Sequence, residues 1–296
     1  MKLKVFDQTN AEKGTKELPK VFSEAVRPDL IKRAVESLQA GARQRYGSDP
    51  QAGKKCSAEL SRRRRNYRGS YGHGISRVPR KIHSRSGTRF NWTAAFAPGT
   101  VSGRRAHAPK ASKILERKIN IKERRMAIRS ALAATMMKDL VTARGHAAPD
   151  AYPFIINNSF ETLDKTKLIK DALEKLGFAA ELKRASERTF RTGKSRLRGR
   201  KYRKRKGPLF VSSVDCPMLK AAAGIPGVDA VTVNELNAEL LAPGAVPGRL
   251  TLFTESALEM LGKENLFYDT PKKAEPKAAK KEKKEKVKTV KKTTKK

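Results

Sequence analysis

The sequence has few residues of the kinds that build disulfide, metal and catalytic sites. Only two of its 296 residues are cysteines, Cys56 and Cys216, so it offers no disulfide framework and no CxxC pair for a metal ion. Such sparse cysteine usage is typical of reducing compartments. The four scattered histidines, without metal-ligand or catalytic spacing, are His73, His83, His107 and His146. General acid–base chemistry needs positioned partners, so we expect no catalytic residue, no metal ligand and no enzymatic activity.

Long apolar runs are absent as well. No stretch approaches 18 consecutive apolar residues, the length that a membrane-spanning helix needs. Residues 1–9 alternate basic and apolar side chains and lack the apolar run of a secretory signal. We therefore expect a cytoplasmic protein without a membrane-spanning segment.

Two glycine-containing patterns resemble nucleotide-binding motifs but lack parts of them. Thr192–Ser195 has the GK[ST] ending of a P-loop, yet Arg188 stands where the first glycine is required. We also expect a helix and a basic loop around it, where a P-loop has a strand and a helix. Gly72 and Gly74 begin a GxGxxG pattern whose third glycine is replaced by Arg77. We expect neither segment to bind a nucleotide cofactor.

Acidic residues are scarce in three long segments, and these segments hold almost all of the net charge. The chain has 67 Lys and Arg against 29 Asp and Glu, a formal net charge of +38. Residues 61–110 contain 13 basic residues and no acidic one, residues 183–206 contain 13 and one, and residues 271–296 contain 13 and three. Together they carry +35, whereas the other 196 residues carry about +3. A charge of this size repels itself, so we expect a polyanionic partner.

Outside the basic segments, the hydrophobic pattern predicts an α/β fold. Apolar stripes at helical spacing predict a first helix over residues 28–41 and a long second helix over 114–140. Further along, short apolar strands alternate with helices, which is typical of a mostly parallel sheet covered by helices. We also expect a short strand at residues 21–22 and helix caps at Asp164 and Asn234.

One long segment interrupts this α/β domain, which we place at residues 1–262. Residues 43–110 lack regular periodicity and are rich in Gly, Arg and Ser, with aromatic residues scattered among them. A structureless segment of this length is rare inside a compact domain, and disordered tracts are usually depleted in aromatics. We therefore predict a long, non-globular extended loop that becomes ordered on a partner. Folded as a hairpin, each limb of about 33 residues would reach at most roughly 100 Å.

The chemistry of this loop points to RNA. It interleaves guanidinium groups, which grip phosphates bidentately, with aromatic rings, which offer stacking faces to unpaired bases. A nuclear-localisation signal or nonspecific polybasic tract is the alternative, but such tracts are commonly short, Lys-rich and without rings. The predicted RNA-binding residues of the loop are Arg62, Arg63, Arg64, Arg65, Tyr67, Arg68, Tyr71, Arg89, Phe90, Trp92, Arg104, Arg105 and Lys110.

The other two basic segments differ from this loop and from each other. Residues 183–207 lie before a predicted strand, so we expect a second RNA-binding loop that projects from one edge of the sheet. Its predicted phosphate-binding residues are Lys194, Arg196, Arg198, Arg200, Lys201, Arg203, Lys204, Arg205 and Lys206. The Lys-rich tail, residues 271–296, cannot bury enough surface to fold alone, so we predict a basic, disordered tail that contacts RNA through charge only.

A family resemblance rests on several segments that follow one another along the chain. They are SYGHGISRVPR (70–80), SGRRAHAPK (102–110), IRSALAAT (128–135), GKSRLRGRKYRKRKGP (193–208), AAGIPGVDAVTVNELN (222–237) and LAPGAVPGRLTLFTESALEML (241–261). In these segments, over residues 1–262, the chain resembles the large ribosomal subunit protein four family in its archaeal and eukaryotic branch. The Lys-rich tail is not part of the match.

The resemblance implies a noncatalytic rRNA scaffold of the large ribosomal subunit. Its α/β domain would lie on the solvent side, and its extended loop would line the nascent-peptide exit tunnel near large-subunit protein twenty-two. The implied partners are large-subunit rRNA, neighbouring ribosomal proteins and the nascent peptide in transit, with no membrane and no cofactor beyond the structural Mg²⁺ of the rRNA. The tunnel-facing tip would carry Arg77, Arg80, Lys81, His83 and Arg85. The alternative is a non-ribosomal RNA-binding or chromatin-like basic protein.

Overall fold

A computed structural model of the protein describes residues 1–66 and 69–268. The predictions for Tyr67, Arg68 and the Lys-rich tail therefore lie outside the described residues.

The described chain forms two compact units. Residues 1–39 and those from 117 onward make up the first, here called the α/β unit, and residues 40–116 make up the second, here called the loop unit. The predicted loop bounds, 43–110, fall inside the loop unit.

Strands, α-helices and 3-10 helices follow one another along both units. The strands are β1 Lys2–Phe6, β2 Glu12–Glu17, β3 Arg80–Ser86, β4 Arg89–Ala94, β5 Ile155–Ile156, β6 Arg188–Phe190, β7 Tyr202–Lys204, β8 Leu209–Ser212, β9 Asp229–Thr232 and β10 Thr251–Thr254. The α-helices are α1 Pro28–Ala42, α2 Ile121–Thr135, α3 Lys138–Ala143, α4 Thr166–Lys175, α5 Ala179–Ser186, α6 Lys194–Leu197, α7 Pro217–Ala223, α8 Ala238–Leu241 and α9 Glu255–Lys263. The 3-10 helices are Lys20–Ser23, Asn158–Thr162, Val233–Glu235 and Pro243–Ala245.

Six strands of the α/β unit form one sheet in the order β2-β1-β5-β10-β8-β9. β2 pairs antiparallel with β1, and every other neighbouring pair is parallel. Parallel neighbours need crossover connections, which the helices supply. The predicted α/β class with a mostly parallel, helix-covered sheet is confirmed.

Alternate side chains of the central strands enter two cores, one on each face of the sheet. Leu209 and Val211 of β8 join the core that also contains residues of α1, α2 and α9, here the α1-side core. Phe210, between them, joins the core that contains residues of α4, α5 and α7, here the α4-side core. All three side chains are fully buried. Because both faces are covered, β8 and β10 appear in the sequence as short apolar runs.

The long helix predicted over residues 114–140 is wrong in its start and in its continuity. Residues 113–120 are not helical, α2 begins at Ile121, and Met137 has extended backbone angles of φ −90° and ψ 102° before α3. Leu132 of α2 packs in the α1-side core, whereas Val141 of α3 packs in the α4-side core. The chain turns between the two helices because they bury against opposite faces of the sheet.

Three local predictions are also wrong. Residues 21–22 belong to a 3-10 helix instead of a strand, and this turn buries both side chains, which the alternation of a strand would not do. Asp164 does not cap α4, whose N-terminus has no side-chain cap. Asn234 lies within a 3-10 helix, and Asn237 caps α8 instead by accepting a 2.8 Å hydrogen bond from a backbone N–H.

Two backbone limbs lie side by side at the base of the loop unit. The Ser48 N–H donates a 3.0 Å hydrogen bond to the Pro109 carbonyl. Gly53 has a φ of +71°, and a Cβ atom there would come within 2.5 Å of the Arg104 backbone nitrogen, so only glycine fits this approach. Beyond this base, β3 and β4 form an antiparallel hairpin that the sequence analysis did not predict.

Candidate nucleic-acid interface

The hairpin of the loop unit gathers the residues that the resemblance assigns to the tunnel-facing tip. Its strands pair from Arg80 opposite Ala94 to Ser86 opposite Arg89, which leaves a two-residue turn at positions 87–88. Gly87 has a φ of +55°, as such tight hairpin turns require. Arg77 precedes β3, and the tip residues that lie on β3 are Arg80, Lys81, His83 and Arg85.

Aromatic rings and guanidinium groups pair on this hairpin and next to it. Phe90 and Trp92 of β4 stack with ring centroids 5.2 Å apart and an interplanar angle of 30°. The Arg80 guanidinium carbon lies 5.4 Å from the Trp92 ring centroid, and that of Arg77 lies 4.5 Å from the Tyr71 centroid. These contacts hold flat, positively charged groups beside ring faces, the combination that binds phosphates and stacks on bases.

Most of the other predicted RNA-binding residues of the loop unit are at the surface. Arg104 is half-buried, with its guanidinium carbon 5.5 Å from the ring centroid of Phe96. The exposed ones are Arg62, Arg63, Arg64, Arg65, Arg89, Arg105 and Lys110. Since residues 61–110 contain no carboxylate of their own, the segment presents a strong positive field to a polyanion.

The second basic segment forms a surface hairpin of β6 and β7, with α6 inserted between them. Phe190 and Tyr202 face each other across this hairpin with ring centroids 5.1 Å apart, and they are 61% and 42% exposed. Arg196 and Lys201 place their cationic groups 5.8 Å and 5.7 Å from the Phe190 ring centroid. Much of this ring pair stays exposed beside cationic groups, so it is a candidate stacking platform for bases. We call Phe190 and Tyr202 the aromatic pair.

Two of the predicted phosphate-binding side chains of this hairpin form ion pairs with carboxylates. Arg205 forms an ion pair of 3.0 Å with Glu187, and Lys206 forms one of 2.8 Å with Asp229. The other predicted residues, all exposed, are Lys194, Arg196, Arg198, Arg200, Lys201, Arg203 and Lys204.

The structural context expected around the P-loop-like residues Thr192–Ser195 is wrong. A strand, β6, precedes them and a helix, α6, follows, which is the order found in P-loops. However, β6 is a three-residue strand of an exposed hairpin, α6 has four residues, and Arg188 still occupies the position of the first glycine. The order of elements arises from the hairpin and does not build a phosphate-binding loop.

Two buried charged networks at the root of this hairpin were not predicted. The side chain of Arg249 is fully buried and donates to Asp229 Oδ2 at 2.6 Å, to the Gly207 carbonyl at 3.0 Å and to the Leu240 carbonyl at 2.9 Å. Burial raises the pKa of Asp229, but its hydrogen bond from Lys206 and the charge of Arg249 outweigh this effect, so the net shift is downward.

The second network joins His146, Glu181 and Arg184. Glu181 is fully buried, with Oε1 2.7 Å from His146 Nδ1, and Arg184 donates to its two oxygens at 2.6 Å and 2.8 Å. Burial raises the pKa of Glu181, but these hydrogen bonds outweigh it and lower the pKa to about 2. Arg184 also donates to the Lys206 carbonyl at 2.7 Å. Both networks therefore fix the backbone of residues 206–207, where the hairpin enters β8.

Two other kinds of site are absent from the described residues. Across residues 1–66 and 69–268, no group of three or more His, Cys, Asp or Glu side chains is placed to hold a metal ion. Nor does that part of the chain contain a helix that is both long enough and apolar enough to cross a membrane.

The chain matches a known family over most of its length. Residues 16–264 match the model of the family described as "Ribosomal protein L4/L1 family". The chain belongs to this family.

Relatives of this L4/L1 family member include archaeal proteins named "Large ribosomal subunit protein uL4". The protein of Nanoarchaeum equitans is 48% identical over 269 residues, which cover 90% of this chain and 100% of that protein. The protein of Archaeoglobus fulgidus is 44% identical over 264 residues, 88% and 98% of the two chains. The protein of Methanosphaera stadtmanae is 46% identical over 249 residues, 83% and 90% of the two chains.

These matches confirm the resemblance to the protein four family. An L4/L1 family member is a structural component of the ribosome and not generally an enzyme. The match to residues 16–264 includes both hairpins and stops before the Lys-rich tail.

Proposed function

We propose that this L4/L1 family member is a structural constituent of the large ribosomal subunit. It binds large-subunit rRNA through the loop unit and the β6–β7 hairpin, and it supports assembly of the subunit. The names of the archaeal relatives support the large subunit as its location.

One observation carries the rRNA-binding proposal. Each of the two hairpins presents a contacting pair of aromatic rings with cationic groups beside it, Phe90–Trp92 with Arg80 and Phe190–Tyr202 with Arg196. Rings stack on unpaired bases, and the surrounding arginines and lysines neutralise phosphates and release counterions. The gain offsets the entropy that the segments lose when they become ordered on RNA.

We further propose that the loop unit reaches through rRNA to the nascent-peptide exit tunnel. Its hairpin turn at Gly87 then lies at the tunnel wall, with Lys81, His83 and Arg85 exposed nearby. Large-subunit protein twenty-two and the nascent peptide are its neighbours in this proposal. Mg²⁺ enters only as an ion bound by the rRNA.

The only tryptophan of the chain, Trp92, reports directly on this proposal because it lies on the loop hairpin. Titration of the full chain with a fragment of large-subunit rRNA should quench the Trp92 fluorescence. The affinity measured in this way should fall steeply with added salt. A small-subunit rRNA fragment of equal length is the matched control and should compete poorly. A flat salt response, or equal affinity for both fragments, would contradict the proposal.

A free RNA-binding or chromatin-like protein would behave differently in the cell. Sucrose-gradient fractions analysed by mass spectrometry should place the endogenous protein with large subunits. Recovery of the protein mainly in small free complexes would favour the alternative, a non-ribosomal RNA-binding or chromatin-like protein. RNA turnover by the purified chain with magnesium would favour a nucleic-acid enzyme.

A further inference from the structure

A basic cleft of about 590 Å³ lies beside the root of the β6–β7 hairpin. One wall consists of hairpin residues, Thr189 and residues 203–206, and the other walls carry Arg144, Arg184 and the turn at 243–246. Six of the eleven lining residues are Arg or Lys, and none is acidic. Its walls precede β8 and β10 in the chain, so it lies at the amino ends of the parallel strands.

Three of the six cations lining this cleft are already neutralised. Arg184 is paired with buried Glu181, and Arg205 is paired with Glu187 at 3.0 Å. Lys206 is paired with Asp229, which the buried Arg249 also shares. None of these carboxylates lines the cleft.

The other three cations have no carboxylate partner among the residues that the structure describes. Arg144 donates its hydrogen bonds to the carbonyl oxygens of Val246 and Pro243, the latter at 2.6 Å. Arg203 and Lys204 are exposed, and no hydrogen bond or ion pair joins their side chains to other described residues. The cleft therefore presents three uncompensated charges around one space.

Arg144 is the most constrained of these cations. Its two carbonyl contacts fix the plane of the guanidinium against the 243–246 turn. Burial, together with the charges of Arg249 and Arg184, lowers the pKa of Arg144 to about 10, so the group stays charged at neutral pH but is destabilised there. An anion in the cleft would supply a counter-charge for Arg144 and offset the repulsion between these cations.

The neighbouring aromatic pair indicates which anion the cleft receives. Along the hairpin, Phe190 and Tyr202 form one cross-strand pair and Thr189 and Arg203 form the next. Neighbouring pairs are about 3.3 Å apart along a strand and point to opposite faces. Because the two pairs point to opposite faces, an RNA strand that passes around the edge of the hairpin can place a base on the rings and an adjacent phosphate in the cleft.

We propose that this cleft is a phosphate-binding site for a single phosphodiester of an RNA strand, held by Arg144, Arg203 and Lys204. This assignment rests on the proposed rRNA-binding function and adds a defined subsite to it. Planar guanidinium groups bind phosphate oxygens bidentately, which gives the site a geometry that a diffuse basic surface lacks.

The test measures binding of an RNA trinucleotide with unphosphorylated ends to the full chain by isothermal titration calorimetry. Arg203→Gln removes a cleft cation whose side chain has no hydrogen bond or ion pair to another described residue, so it should not affect folding. It should weaken binding about tenfold. Arg144→Gln should do the same, and its thermal unfolding shows whether the 243–246 turn is retained. Arg124→Gln, at an exposed position of α2 outside the cleft and outside the basic segments, is the charge-matched control and should change binding by less than about twofold.

Equal weakening by Arg203→Gln and Arg124→Gln would overturn the proposal, because it would show diffuse attraction to the positively charged surface of the chain. Saturable binding of inorganic phosphate without binding of the trinucleotide would show that the cleft takes a free phosphate ion, and it would overturn the RNA assignment. Binding of a large-subunit rRNA fragment distinguishes a failure of the cleft assignment from a failure of the proposed rRNA-binding function. If it binds wild type and Arg203→Gln equally, only the cleft assignment fails, whereas no binding to wild type contradicts the proposed function itself.

Discussion

Arg249 Nη2 donates a 2.6 Å hydrogen bond to Oδ2 of Asp229, and the side chain of the arginine is fully buried. The remaining contacts of the guanidinium are backbone carbonyls of Gly207 and Leu240. Burial lowers the pKa of Arg249, and the charge of Asp229 opposes this shift. The pair thus joins the root of the β6–β7 hairpin to the start of β9.

Asp229→Asn should destabilise the α/β unit through this pair. The substitution keeps the shape of the side chain but leaves a buried guanidinium without its counter-charge, so the free energy of unfolding should fall by about 3 kcal/mol. Urea denaturation followed by circular dichroism measures the change. Asp171→Asn on the exposed surface of α4 is the control and should cost less than about 0.5 kcal/mol. An equally small cost for Asp229→Asn would show that the pair contributes little.

The burial of His146 and the hydrogen bonds of Glu181 should make the protein less stable in acid. Burial lowers the pKa of His146 below 6.5, and the pKa of Glu181 falls to about 2 from 4.5. Both groups bind protons more readily in the unfolded chain, so protonation favours unfolding. The free energy of unfolding should fall as the pH drops below about 6.5, because of His146. It should fall again between about pH 4.5 and pH 2, because of Glu181.

His146→Asn isolates the first of these two steps. Asparagine can still donate a hydrogen bond toward Glu181 but does not titrate. The free energy of unfolding of this variant should therefore change less than that of wild type between pH 7.5 and pH 5.5. Urea denaturation at several pH values gives the comparison. His107→Asn, at an exposed position, should keep the wild-type pH dependence. Parallel pH profiles for His146→Asn and wild type would refute the assignment to His146.

The aromatic pair should contribute to RNA affinity and not to folding. Stacking on an aromatic side chain contributes about 1–3 kcal/mol per base, so Phe190→Ala and Tyr202→Ala should each weaken binding of an rRNA fragment by roughly tenfold. Leu197→Ala removes an apolar side chain that is 87% exposed on the same hairpin, and it should leave the affinity unchanged. Filter binding at fixed salt, with thermal unfolding as a check, measures both. Equal effects of Leu197→Ala and Phe190→Ala would exclude specific stacking.

The sequence predicted those elements that bury a recognisable apolar pattern. β8 and β10 are apolar runs because both faces of the sheet are covered, and α1 shows a stripe that includes Ile31 and Val35. β2, with sequence EKGTKE, lies at the edge of the sheet with its residues mostly exposed, so its pairing leaves no hydrophobic signal. The β3–β4 and β6–β7 hairpins are also mostly exposed, so their pairing leaves no buried apolar pattern in the sequence either.

The buried charges at the cleft could not be predicted from sequence. Arg249 is separated from Asp229 by 20 residues and from Gly207 by 42, so only the folded sheet brings them together. Glu181 lies in helix α5, and the hydrophobic pattern of that helix does not show whether this glutamate is buried or exposed. Arg144 lies outside the basic segments and was not identified as part of an interface. Local composition indicates where charge is abundant, but it does not show which charges are buried or already paired.

Limited tryptic digestion of the full chain, free and within purified large ribosomal subunits, tests whether the chain binds rRNA through its two basic segments. Mass spectrometry of the fragments should show cleavage at residues 43–110 and 188–206 in the free protein, because both segments expose many arginines and lysines. Both segments should be protected in the subunit. Equal cleavage of the two segments in free protein and in subunits would contradict the claim that this chain binds rRNA through them.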